Sequence, residues 1–506
     1  MTGSDIHDAE TFDVIVCGAG SSGSVIAGRL AENPDLKVLL VEAGGTDDTP
    51  LVLDTDQWVR TLGSDLDWNF QTEPDARLNG RALAYSMGKV LGGGSSINVG
   101  TWSKGHEADW NGYAAHVGDT AWRHDKVQEI YRNRVENHAM HIGQSVPDAF
   151  GSSFLNAAQG EGLARFPTSG ANLMKSASGC APVENIIHNG VRQSAWRSYV
   201  YPRRHQPNLT ILTHAEVTRL IIADNRVTGI EYRQQGSVRR ANARLEVVVS
   251  QGAIQTPKLL MQSGIGDTAE LERHNIEVIR HCPGVGQNLH DHVALSLVWE
   301  ASDVPLPPEL RSTAVAFWKT DAGLAAPNCY AYAIGVPYLS AENAAAYPPP
   351  ETGFTLLLGM RPASRGRVSL TGAGVDDTVR IDANYLSDPR DLADLKLGIE
   401  RLRAIGNSFS LAPFRKRELA PGDLSEGALD AYIRNGLTTF WHQSGTARMG
   451  NDDGSVVDSR LKLRGIAGLR IADASVLPHV TAGNTMAPCI IIGEQAAAFI
   501  RQDYGI

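Results

Sequence analysis

Phe12-Asp13-Val14-Ile15-Val16-Cys17-Gly18-Ala19-Gly20-Ser21-Ser22-Gly23 is the stretch that decides the fold of this 506-residue chain. Val14 to Cys17 is apolar, rich in β-branched residues and too short for a helix, so it reads as a buried strand. The glycines behind it are spaced G-x-G-x-x-G. Gly18 permits a tight turn out of the strand, Gly20 lets backbone approach a pyrophosphate, and Gly23 lets the next helix lie close to the sheet. That helix is expected to run to about Glu32, where Asn33-Pro34 breaks it. A second strand over 37–41 ends in Glu42, 24 residues past Gly18, where a carboxylate can accept from both hydroxyls of an adenosine ribose. A pyrophosphate would rest on the helix N-terminus, where free N–H groups and the macrodipole favour negative charge. A glycine-rich turn in any α/β unit can carry the same hexapeptide; the strand, helix, strand and terminal Glu set this one apart. The pattern leaves NAD and FAD open, and the lack of an arginine directly after Glu42 argues against NADP.

The length suits two or three domains, and 42% hydrophobic with 20% charged residues is ordinary for a soluble globular protein. A net charge of −10 argues against a nucleic-acid or anionic-membrane partner. No apolar run approaches the ~18 residues of a membrane span. Met1 to Thr11 has neither a basic nor an apolar leader segment, so no secretion signal is read and a cytoplasmic location is expected. Cys17, Cys180, Cys282, Cys329 and Cys489 lie far apart without C-x-x-C spacing, which predicts buried free thiols and no metal site. No stretch reports an oligomeric state.

Residues 44–75 read as a polar loop. Then comes Gly88-Lys89-Val90-Leu91-Gly92-Gly93-Gly94-Ser95-Ser96-Ile97-Asn98, whose glycines and serines suit neither a helix interior nor a strand. Such a segment can bring backbone N–H groups close to a flat or anionic ligand. Gly88 through Gly105 resembles the first sequence motif of the glucose–methanol–choline (GMC) oxidoreductase family. Gly252 through Gly266, fed by the apolar Val247-Val248-Val249, resembles the second. Ser194 to Leu209 and Pro283 to His292 are further segments similar to the family, so the resemblance covers nearly the whole chain in order.

The resemblance implies FAD as cofactor and an α/β fold: a Rossmann-like FAD-binding domain with a discontinuous substrate-binding domain built on an antiparallel sheet. It divides the chain into 11–130, 205–295 and 436–506 for FAD, and 131–204 and 296–435 for substrate, after a flexible 1–10. Short strands are expected at Phe354 to Leu358, Arg367 to Leu370 and Val379 to Ile381. A helix is expected from Pro389 to Ile405, where Leu392, Leu395, Ile399 and Leu402 recur at helical spacing. Arg239, Arg240 and Arg244 read as a solvated hairpin face. The FAD site implied is Gly18, Gly20, Ser21, Ser22, Gly23, Glu42, Ala43, Gly92, Gly93, Ser95, Asn98, Val217, Asp473, Ala474, Asn484 and Thr485. Some members attach the flavin through a histidine in the Gly-Gly-Ser-Ser loop; Ile97 stands there and has no nucleophile, so non-covalent FAD is expected.

Phe440-Trp441-His442-Gln443-Ser444 resembles the family's catalytic segment, with His442 as the base. Removing hydride from a neutral alcohol builds an unstable protonated carbonyl, so a base must take the hydroxyl proton first or at the same time. Imidazole, with a reference pKa near 6.5, suits that task. The resemblance puts Asn484 where the family has His or Asn, an amide able to hold the substrate oxygen. Hydride would pass to flavin N5, with O2 or another acceptor reoxidising the flavin. Members that oxidise aryl and furanic primary alcohols carry a similar Trp-His pair, so Phe440 and Trp441 are read as substrate-pocket residues for a flat alcohol. Sugar, pyridoxine and aliphatic alcohols stay open as substrates. A flavin-containing hydroxynitrile lyase, a nicotinamide-dependent dehydrogenase and a non-catalytic FAD-binding protein are the rival readings.

Overall fold

The computed structural model describes residues 10–136, 138–170, 172–308 and 310–506. Of the expected flexible segment 1–10, residues 1–9 lie outside the described residues and Glu10 opens the first strand.

Two sheets of seven strands organise the chain. The first begins with β1 (Glu10–Cys17), α1 (Ser21–Leu30) and β2 (Val38–Val41), the expected unit with its first strand starting four residues earlier, its helix ending two residues sooner and its second strand starting one residue later. Its order is Leu209–Leu212, β2, β1, Ser237–Val249, Arg226–Gln234 and Ala215–Ala223, with Leu469–Ile471 pairing with the C-terminal end of Ser237–Val249. The first four of these strands and Leu469–Ile471 run parallel, and the last three of the ordered strands form an antiparallel meander. Val14 to Cys17, Val38 to Val41 and Val247 to Val249 are buried throughout, as strands covered on both faces must be. On one face α1 packs against the long C-terminal helix, Met486–Tyr504. Their contact is close because Gly493 has no side chain: a Cβ there would lie 2.7 Å from Val25 Cβ.

The second sheet is antiparallel throughout. Its order is Arg415–Ala420, Val293–Ala301, Gly353–Met360, Cys329–Ile334, Ala314–Trp318 and Gly179–Pro182, and Thr438–Thr439 pairs with the start of Val293–Ala301. The side-chain period of two divides its faces. Leu295, Leu297, Trp299, Phe354, Leu356 and Leu358 join a core with helices Ala149–Gly160 and Pro389–Gly406. Tyr330, Tyr332 and Ile334 face the other way, into a small aromatic cluster with Phe317. The expected helix from Pro389 extends to Gly406 and is capped by the Asp388 side chain. Arg367–Leu370 and Val379–Asp382 are strands as expected, but they pair only with each other, in a separate hairpin.

The packing divides the chain less cleanly than the sequence. Tyr131, Val135, Ile186, Trp196 and Tyr199, from the stretch assigned to substrate binding, pack in the first core. Leu78, Leu83 and Tyr85, from the stretch assigned to FAD, pack in the second. All five cysteines are buried and free. No helix among the described residues is long and apolar enough to cross a membrane.

Candidate active site

One elongated cavity runs from the C-terminal ends of the parallel strands to the aromatic face of the second sheet. At one end Glu42, Ala43 and Val217 line it. Glu42 closes β2 on the sheet edge of the turn: its two carboxylate oxygens each accept a backbone N–H, from Ala19 and from Gly44, both at 2.9 Å. Each oxygen keeps a lone pair for a ligand hydroxyl. Burial pushes this carboxyl up to about 7. Val217 sits at a β-bulge, where the pairing with Arg226–Gln234 shifts register and the strand turns its edge to the cavity.

The next stretch of wall is backbone. Gly18, Gly20, Ser21 and Ser22 line it at the N-terminus of α1. Gly18 has φ +99° and its turn lies so close to the strand that a Cβ would sit 2.4 Å from the Ser250 carbonyl oxygen. Gly93 approaches Gly20 from the opposite loop, and Gly94 faces open space, with nothing within 4 Å of where its Cβ would be. Asn98, Asp473, Ala474, Asn484 and Thr485 continue the wall. Asp473 accepts from Gly252 N at 2.9 Å, Thr256 Oγ1 at 2.6 Å and Ser475 N at 2.8 Å, tying the second glycine segment to the C-terminal one. Asn484 and Thr485 sit at the positive N-terminal end of Met486–Tyr504.

At the far end stands His442, buried but open to the cavity. Its segment runs antiparallel to 290–293: His290 and Ser444 exchange both backbone hydrogen bonds at 2.9 Å, and Phe440 N donates to His292 O at 3.0 Å. Asp291 holds the turn by accepting from His442 N at 2.8 Å, from Tyr385 OH at 2.7 Å and from the Thr439 hydroxyl. Burial raises the Asp291 carboxyl to about 6 and lowers the His442 imidazole to about 3, so the ring is neutral at physiological pH. His442 Nε2 lies 3.2 Å from Asn484 Nδ2, and Tyr332 OH donates to Asn484 Oδ1 at 2.6 Å. Phe440 lies parallel to the His442 ring, centroids 5.6 Å apart, and Trp441 meets Trp58 edge-on at 6.1 Å. Trp441 has φ +58°, a strained conformation for a bulky residue, set one position before His442.

Residues 12–294 and again 362–493 match the GMC oxidoreductase family. The chain belongs to this family. It is 35% identical to choline oxidase of Arthrobacter globiformis, over 98% of this chain and 95% of the relative. It is 33% identical to alcohol dehydrogenase [acceptor] of Pseudomonas putida, over 97% and 95%. Among solved structures, pyridoxine 4-oxidase of Mesorbium loti superposes with a TM-score of 0.92 at 30% identity, covering 98% of this chain and 99% of that one. This GMC oxidoreductase is an FAD-dependent enzyme acting on CH–OH donors.

The residues present fit FAD. Hydrogen atoms rather than methyl groups border the cavity at Gly20 and Gly94, a helix N-terminus faces it at Ser21, and a carboxylate with spare acceptor capacity stands 24 residues beyond the first glycine. Ile97, buried against the same wall, offers no atom for a covalent bond to the flavin. Three expected cofactor residues do not line the cavity. Gly23 packs onto the turn itself, where a Cβ would meet the Gly18 carbonyl oxygen at 1.9 Å. Gly92 donates to Ala19 O at 2.8 Å. Ser95 turns inward, giving its hydroxyl to Gly92 O at 2.6 Å and accepting Ala195 N at 3.0 Å. These residues hold the loops together behind the wall. The loop also contains one helical turn, Gly94–Ile97, which the glycine-serine composition did not suggest.

Trp58, Met87, Leu310, Tyr332 and Leu357 also line the cavity and belong to none of the motifs. Trp58 belongs to a short helical stretch, Thr55–Thr61, inside the expected loop. For Tyr332 a signal existed: Tyr330, Tyr332 and Ile334 alternate with Cys329, Ala331 and Ala333, a strand with one aromatic face.

Proposed function

We propose that this enzyme oxidises a neutral primary alcohol bearing a flat aromatic or heteroaromatic group to the aldehyde. The observation that carries this is the placement of His442 Nε2 and Asn484 Nδ2, 3.2 Å apart, in a chamber walled by Phe440, Trp441, Trp58 and Tyr332. The aromatic rings stack on and edge a flat substrate, exclude water and orient its CH2–OH toward the imidazole. His442 Nε2 takes the hydroxyl proton. Asn484, held by Tyr332, donates its amide N–H to the substrate oxygen as negative charge develops there. FAD, when bound, supplies the two-electron acceptor that receives the hydride. The buried indole N–H groups of Trp58 and Trp441 lack partners and provide two donors for a ring heteroatom or polar substituent.

Choline, named for a relative, would bring a quaternary ammonium group. Aromatic rings can hold such a cation, but the cavity's carboxylates are Glu42, Glu216 and Asp473, on the strand side away from the chamber. That charge distribution favours the neutral alcohol. Anaerobic mixing of the holoenzyme with benzyl alcohol, a furanic alcohol, pyridoxine, a sugar and choline tests the reading. The flat alcohols should bleach the flavin fastest; choline fastest would overturn it, and a flavin that stays yellow with every alcohol would point to a lyase. His442→Ala should keep FAD and lose about 10²- to 10⁴-fold in flavin reduction; undiminished reduction would remove His442 as base. Admitting air to the reduced enzyme then times its reaction with O2.

A further inference from the structure

Both ring nitrogens of His442 are engaged, and the second engagement is unusual. Nδ1 lies 2.9 Å from Nδ1 of His292, with the rings nearly perpendicular at 84°. Two neutral imidazoles can meet this way only if one donates and the other accepts. Which one donates follows from the opposite side of the ring. The 2.6 Å contact between Tyr332 and Asn484 has the length of an O–H···O bond, which puts the amide oxygen toward the phenol. The amide NH2 therefore faces His442 Nε2, at a separation suited to N–H···N, and Nε2 must be the bare acceptor. His442 then carries its proton on Nδ1 and donates it to His292 Nδ1.

We propose that His292 is the positioning residue of the base: an uncharged acceptor that fixes His442 as the Nδ1–H tautomer, with the Nε2 lone pair turned to the cavity. This rests on His442 being the base. The role is the one a buried carboxylate fills behind other catalytic histidines, performed here by a second imidazole. The surroundings keep that acceptor neutral. His292 is fully buried, its value lies well below the ordinary imidazole range through burial and then the adjoining His442, and Arg361 disfavours a charge on it further. Tyr330 meets its ring edge-on at 5.2 Å, and the Thr481 carbonyl lies near a Nε2 that has no partner in hydrogen-bonding geometry. The carboxylate of this region, Asp291, binds the backbone N–H of His442 and the hydroxyls of Thr439 and Tyr385, leaving the imidazole to its neighbour. The antiparallel pairing of 290–293 with 439–444 is what brings the two rings together.

The design has a consequence that a mere packing role would not have. When Nε2 takes the substrate proton, the imidazolium forms with a neutral acceptor on its ring, the Asp291 carboxylate being held on the backbone N–H instead. Substitution at 292 can change the acceptor while keeping its place, since Oδ1 of Asn or Asp is bonded to Cγ as Nδ1 of His is. His292→Asn should keep the Nδ1–H tautomer and most of the reduction rate. His292→Leu should retain FAD but lose about 10- to 100-fold in flavin reduction. His292→Asp should raise the His442 pKa, read by ¹⁵N-histidine NMR titration of the holoenzyme and by an upward shift of the acidic limb of flavin reduction. The same spectra of the unsubstituted enzyme should show His442 protonated at Nδ1. Protonation at Nε2, or a Leu variant with unchanged rate and pH profile, would overturn the proposal. Undiminished reduction by His442→Ala would instead overturn the assignment of the base, so the two failures are distinct.

Discussion

The two ends of the cavity are built from different material. Around Gly18 to Ser22 and Gly93-Gly94 the wall is largely backbone, with four glycines and two serines and no bulky side chain. Around His442 the wall is side chains: Phe440 and Trp441 from one segment, Trp58 from a second, Tyr332 from a third and Asn484 from a fourth. A backbone wall is specified by what the sequence omits, a Cβ at a few positions. A side-chain wall is specified by strands that meet only after folding. The first is intolerant of any added atom and indifferent to chemistry; the second tolerates changes of size and fails when a hydrogen-bonding atom is lost.

The largest expected effect lies at the glycines. In Gly23→Ala the new methyl would meet the Gly18 carbonyl oxygen at 1.9 Å, so the turn cannot close and the purified protein should contain almost no flavin by its visible spectrum. Gly94→Ala sharpens the contrast: with nothing within 4 Å of its Cβ, the apoprotein should melt within a degree or two of the parent, ~0.5 kcal/mol being usual for a substitution outside the core, yet bind FAD at least about tenfold more weakly because the methyl enters the cofactor's space. Equal FAD affinity would show that the cofactor does not pass this wall.

At the other end the electrostatic signature is next in size. Burial takes His442 from the usual 6.5 to about 3, so the free base persists through neutral and mildly acidic pH. Its NMR titration should show no protonation near pH 6.5, and only below about pH 4 should the ring charge. The stability sign follows. The folded-state value is depressed below the unfolded one, so the unfolded chain binds the extra proton between about pH 6.5 and 3, and this group's contribution to stability is lost as pH falls through that window.

Tyr332→Phe is a subtler break. It removes one hydroxyl and leaves the aromatic wall, freeing the Asn484 amide to rotate. Flavin reduction should slow about tenfold, in line with ~1.4 kcal/mol for a buried hydrogen bond, with FAD affinity unchanged. The smallest effect belongs to the hairpin tip beside the strand end. Lys258 Nζ donates to Val375 O at 2.8 Å, Gln262 donates to Gly374 O at 2.6 Å, and Arg233 pairs with Asp376 at 2.7 Å. Asp376 is exposed, so Asp376→Ala should speed FAD release by no more than about fivefold, as a surface ion pair of under ~1 kcal/mol allows. Stopped-flow flavin fluorescence measures it.

The same contrast explains what could be read in advance. Strand, glycine turn, helix and Glu42 are neighbours in sequence, and their geometry is local, so the βαβ unit and its cleft follow from spacing. The helix from Pro389 was equally legible, through its period. The composition of Gly92 to Ser95 announced a close approach of backbone but not its direction, and Ser95 proves to face inward. The hairpin of Arg367–Leu370 and Val379–Asp382 was recognisable as strands, but isolated pairing cannot be told from sheet membership by alternation. His292 stood in a segment already similar to the family, and its meaning emerged only when 290–293 lay beside 439–444. Tyr332 had its face set by alternation, while its partner, 152 residues away, did not.

His442 hangs from the antiparallel body through Asp291, whereas Asn484 precedes a helix clasped to α1 by the glycine contact at Gly493 and by the Ser22 hydroxyl on Cys489 O at 2.7 Å. His442 and Asn484 thus come to the cavity from elements anchored in different sheets. Loosening the ties between the two, Tyr332 on Asn484 and Val480 N on His290, would part the amide from the imidazole with both sheets still intact, so gentle warming or dilute urea should silence turnover before circular dichroism registers any loss of structure.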